Sequence, residues 1–142
     1  MTRPRYETEA DRQRESSVGE RFAAALNGVT VEKLPHGHRA DFLARDTKGN
    51  EAYVEVKTRR CTSRQYDTYH ISYDKLKALV SLAEKDGRDA LLLVQWKDTM
   101  GYVNIKKYLA HATFKKGGRW DRGDKFDVEE MAEAPISLFT FL

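Results

Sequence analysis

Residues 40–46 (ADFLARD) and 51–58 (EAYVEVKT) are two strand-forming runs separated by TKGN, a glycine-containing turn of hairpin length. The turn makes them antiparallel neighbours, and the rest of the chain has to be arranged around that pair. Side chains alternate between the faces of a strand, so Glu55 and Lys57 share one face with Tyr53, while Val54 and Val56 point the other way into packing. The acid and the base lie about 6 to 7 Å apart along the strand, at about 3.3 Å per residue. Asp41 sits near the open end of the partner strand. Counted outward from Gly49, Asp41 is eight residues back and Glu55 and Lys57 are six and eight forward, so the three converge if the register permits.

Helical spacing flanks the hairpin. Val18, Phe22, Ala25 and Leu26 form one apolar stripe of a helix from about Glu9 to Leu26, stopped by Asn27-Gly28. VTVEKL (29–34) alternates like a strand and PHGH (35–38) breaks it. SRQYDTYHI (63–71) reads as a polar loop, and Ser72 as the N-cap of a helix over 73–87 with Leu76, Leu79, Val80 and Ala83 on its inner face and Gly87 at its end. DALLLVQW (89–96) is apolar enough for a central strand, and GYVNIKKY (101–108) alternates as its returning neighbour. Residues 1–8 are polar and are expected to be loose. Residues 110–142 form a tail: KKGGRWDRGDK (115–125) reads as a charged loop and PISLFTFL (135–142) as a final strand. The expectation is one α/β domain over 1–142, a mixed sheet flanked by helices in the order α-β-β-β-α-β-β.

Composition narrows the function. A single cysteine, Cys61, excludes an internal disulfide framework and a cysteine zinc cluster, and fits a reducing, cytoplasmic setting. No apolar signal core stands at the N-terminus, and no run approaches the roughly 20 apolar residues of a membrane span. The 25 Lys+Arg against 22 Asp+Glu leave a net charge of +3, which permits an anionic partner without requiring one.

Two carboxylates brought together repel each other, and one lysine only partly offsets them. A divalent cation resolves this: Mg2+ takes oxygen ligands, typically one or two carboxylates plus phosphate oxygens, and Mn2+ can substitute for it. RAD (39–41), thirteen intervening residues and EVK (55–57) resemble the PD-(D/E)XK nuclease superfamily, whose motif sets an Asp on one strand and Asp/Glu-X-Lys on the next. Ala40 stands where the motif is named for proline. In many members, archaeal Holliday-junction resolvases included, an N-terminal helix adds a Glu, and VGERFAAALNG (18–28) offers Glu20. The resemblance runs over residues 17–108 and implies a restriction-endonuclease-like core. It further implies Asp41 and Glu55 as metal ligands, with the Val56 carbonyl as a third, Lys57 as the catalytic lysine, and Glu20 as a metal or water ligand.

Arg59, Arg60 and Arg64 follow Lys57, interleaved with Tyr66, Tyr69 and Tyr73: cations for phosphates and rings for bases, a candidate substrate rim. His36 and His38 lack a third nitrogen or sulfur ligand nearby, so phosphate contact suits them better than zinc. The expected function is metal-dependent hydrolysis of DNA phosphodiester bonds, with a structured substrate such as a Holliday junction and a homodimer to meet its two symmetric strands. The rivals are a non-catalytic nucleic-acid-binding module of the same fold and an α/β scaffold that docks on a protein.

Overall fold

The computed structural model describes residues 9–118 and 128–142. The expected loose segment 1–8 and most of the 115–125 loop lie outside them. Helix α1 (Glu9–Ala25) is followed by strands β1 (Thr30–Lys33), β2 (Phe42–Arg45) and β3 (Glu51–Thr58). Next come β4 (Thr68–Ser72), α2 (Tyr73–Asp86), β5 (Asp89–Gln95), β6 (Met100–Asn104) and α3 (Ile105–His111). The chain closes with β7 (Thr113–Gly118), β8 (Val128–Pro135), a 3-10 turn at Ile136–Leu138 and β9 (Thr140–Phe141).

Six strands form one mixed sheet in the order β1-β2-β3-β5-β6-β9, in which only β3 and β5 run parallel. The crossover between them passes through β4 and α2, as a parallel connection requires. On one face, Val18 and Phe22 of α1 pack on Phe42, Ala44, Val54, Val56 and Leu93. On the other, α2 (Leu76, Leu79, Ala83) and α3 (Ile105, Tyr108) pack on Tyr53, Leu92 and Val94. Alternation along β3 thus sends its valines toward α1 and leaves Tyr53, Glu55 and Lys57 facing α2.

Three parts of the chain depart from the sequence expectation. The segment read as a polar loop carries β4, because Tyr69 and Ile71 alternate inward and find a partner strand in β8. Sheet β4-β8-β7 is thus a second layer, closed on the α3 side by the Tyr108 hydroxyl, which donates to the Tyr69 (2.6 Å) and Ala132 (2.9 Å) carbonyls. The run 101–108 is a strand only to Asn104. There the Asn104 side chain caps a helix by accepting from the Lys106 N–H at 2.9 Å, and Ile105 and Tyr108, three residues apart, are buried together. The tail folds into β7, β8 and β9, and the expected final strand shrinks to Thr140–Phe141 after the 3-10 turn.

Candidate active site

The hairpin register decides which side chains meet. Phe42 pairs with Val54 and Arg45 with Glu51, so the ladder ends one residue short of Asp41, which lies close enough for its charge to bear on Glu55. The count from Gly49 would have set Asp41 opposite Lys57. The chain turns over residues 46–50 instead, held by the Asp46 carboxylate, which accepts from the Lys48 and Asn50 N–H groups at 2.9 Å each. That moves the centre of the hairpin back one residue and leaves Asp41 near enough for its charge to act on Glu55.

Asp41 is fixed on three sides. Its N–H donates to the Val54 carbonyl at 3.0 Å, its carbonyl accepts from Leu34 N–H at 2.9 Å, and its Oδ2 accepts from Val56 N–H at 2.7 Å. Val56 projects its backbone toward the side where β2 has ended, so the Asp41 side chain takes the place of the missing strand. Val56 alternates with Val54 along the strand, so its carbonyl points to the same side as its N–H.

Glu55 is 5% exposed, the one buried charged side chain among the described residues. Burial first, and the Asp41 charge second, push its carboxyl up from 4.5 to about 7, against the pull of Lys75 and Lys57. Lys57 Nζ lies 3.7 Å from Glu55 Oε1. Closer still, at 3.3 Å from the same oxygen, is Lys75 Nζ, which reaches down from the first turn of α2 and also donates to the Arg39 carbonyl at 2.8 Å. Sequence reasoning missed Lys75, because helix spacing marks its neighbours Leu76 and Leu79 but says nothing of what a polar residue beside them touches.

The other expected site residues are distributed differently. Glu20 is exposed on α1, which packs on the face of the sheet opposite to that of Glu55. Among the described residues no three acids, histidines or cysteines come together in a metal-sized cluster, so Glu20 does not complete a triad with Asp41 and Glu55. Tyr69, expected on the substrate rim, is instead 3% exposed and packed against Trp96 and Phe139. Arg59 lies over the Tyr69 ring, 4.6 Å from its centroid, and donates to the His70 carbonyl, so its guanidinium is engaged inside the fold rather than extended. Arg60, Arg64 and Tyr66 are exposed, the tyrosine by 60%. His38 accepts from Ala40 N–H through Nδ1 at 3.0 Å and stacks on Tyr53, which braces the turn leading into Asp41. His36 is exposed.

Two carboxylates and two ammonium groups therefore come together where β2 begins and β3 nears its end. The donor set is oxygen only, with two acids that repel one another, which is the set a hard divalent cation takes. A phosphate could be met by the lysines at the same place.

Residues 1–142 match the family model described as "Phage putative PDDEXK endonuclease". Among solved structures, the chain is similar to the 1.6 Å structure of Archaeoglobus fulgidus Hjc, a Holliday junction resolvase from an archaeal hyperthermophile. The TM-score is 0.57 at 14% identity, over 92% of this chain and 87% of that one, a likeness of fold. No curated protein matches the chain.

Proposed function

Because the chain belongs to the phage PDDEXK endonuclease family, we propose that it hydrolyses DNA phosphodiester bonds with the help of a divalent ion held by Asp41 and Glu55. The observation that carries this reading is the buried Glu55 within reach of the Asp41 charge, with Lys57 two residues further on the same face. A solvated strand has no reason to bury an acid beside another acid, because each step costs free energy unless a cation repays it.

Asp41 and Glu55, with the Val56 carbonyl as a third oxygen, would hold the ion. When bound, such an ion neutralises phosphate charge and lowers the pKa of a water. Asp41 is kept from turning away by the Val56 N–H on its Oδ2. Lys57, 40% exposed and only loosely paired with Glu55, is free to orient the attacking water and to offset the charge that develops on phosphate. Mg2+ suits the set, and Mn2+ would substitute. Arg60, Arg64 and Tyr66 form the outer rim that neutralises backbone phosphates and offers one ring for stacking. DNA rather than RNA, a junction-like substrate and a homodimer rest on the family and on the similarity to a resolvase.

The test is cleavage of labelled duplex, single-stranded, flap and four-way-junction DNA with Mg2+ or Mn2+, wild type beside Asp41→Ala and Lys57→Ala. Metal-dependent cleavage that disappears in both variants, with DNA still bound, is the expected result. Binding without cleavage by the wild type would replace this reading with the non-catalytic module.

A further inference from the structure

Lys75 occupies a position that local rules assign to the opposite charge. Ser72 is the N-cap of α2 and accepts from the Lys75 N–H, which makes Lys75 the third residue of the helix. A capped helix favours Glu or Gln there, and the positive end of the helix dipole disfavours a cation. The compensation is tertiary. Nζ sits 3.3 Å from Glu55 Oε1 and donates at 2.8 Å to the carbonyl of Arg39, two residues before Asp41. One ammonium thus ties the entry to β2 to the buried acid on β3. Lys57 approaches the same oxygen from further off and is more exposed, 40% against 28%.

We propose that Lys75 is a built-in stand-in for the divalent ion: it neutralises Glu55 and pins the Asp41 segment while no metal is bound, and it must give up Glu55 Oε1 when the metal arrives. This rests on the metal-dependent reading above. Two cations drawn to one carboxylate oxygen repel each other, so Lys75 lowers the affinity for metal while holding its ligands in place. It is a positioning residue, distinct in role from Lys57. The benefit is that a buried acid pair survives without its ion, and the cost is weaker binding of that ion.

The experiment is a Mn2+ titration of the whole chain at about pH 8.5, followed by calorimetry and by melting temperature, for wild type, Lys75→Met, Lys75→Gln and Lys75→Arg. Met and Gln should bind Mn2+ at least about tenfold more tightly than wild type, a change of about 1.4 kcal/mol. Without metal they should melt lower, and saturating Mn2+ should close that gap, as linkage requires of a ligand that replaces a lost contact. Arg, which keeps the charge, should behave as wild type. Unchanged or weaker Mn2+ binding in both neutral variants, or a melting gap that metal does not close, would overturn the proposal. If the wild type itself binds no Mn2+ in a manner that Asp41→Ala removes, the metal-dependent reading falls as well, so the two failures are told apart.

Discussion

Glu55 concentrates the electrostatics of the site in one carboxyl. Its pKa is raised from 4.5 to about 7, so the fold prefers the protonated acid. Stability from this preference is fully present below about pH 4.5 and is lost as pH rises through about 7. Metal-free protein should therefore lose on the order of 3 kcal/mol across that window from this group. Glu55→Gln should remove that part of the pH slope, unfold at higher denaturant than wild type at about pH 8, and lose cleavage. Urea titrations at several pH values check it, and equal slopes in the two proteins would refute it. Asp41, Glu55 and Lys57 were legible because a period of two and a short turn are local facts. Lys75 was not, although the lysine three residues after a capping serine is a signal in retrospect. Tyr69 was misjudged because a tyrosine among polar neighbours reads as exposed until the strand that covers it is known.

Element packing places the acids as firmly as their own bonds do. Gly19, in the interior of α1, stands against the Phe42 ring, where an added Cβ would come within 2.7 Å of Cζ. Gly→Ala in a helix ordinarily stabilises by about 0.5 to 1 kcal/mol. Here the overlap should reverse the sign, with a net loss of about 1 kcal/mol as α1 is pushed from the residue next to Asp41. Thermal melts of Gly19→Ala decide it, and a higher melting temperature would show that Phe42 yields freely. On the opposite face, Leu79→Ala at the centre of α2 should cost about 2 to 5 kcal/mol and, by loosening the helix that carries Lys75, lower cleavage in the surviving folded fraction. Helices α1 and α2 were readable because apolar spacing is written into single segments. Strand β4 and helix α3 were not: β4 exists only where β8 pairs with it, and α3 begins at a cap that an alternating run conceals.

At the scale of the whole molecule, a net charge of +3 provides only a modest attraction for DNA. Binding should rely on a few well-placed cations. Arg60→Ala and Arg64→Ala should each reduce the slope of log affinity against log salt by about one and weaken binding alike across sequences. Arg59→Ala should act differently, through stability, because its guanidinium covers Tyr69. Titrations at several salt concentrations separate the two effects. A homodimer on a four-way junction would sediment as two copies per DNA, and a monomer both free and bound would count against the dimer. No helix among the described residues is long and apolar enough to cross a membrane.

The amino-acid sequence determined the hairpin, the side of it that carries Asp41, Glu55 and Lys57, the capped helix that follows and the apolar central strand, because each depends on residues close together along the chain. The tertiary structure decided the burial that lifts the Glu55 pKa, the loss of Tyr69 to the core and the arrival of Lys75. Those depend on groups far apart along the chain, whose distances are set when the sheet and helices close on one another.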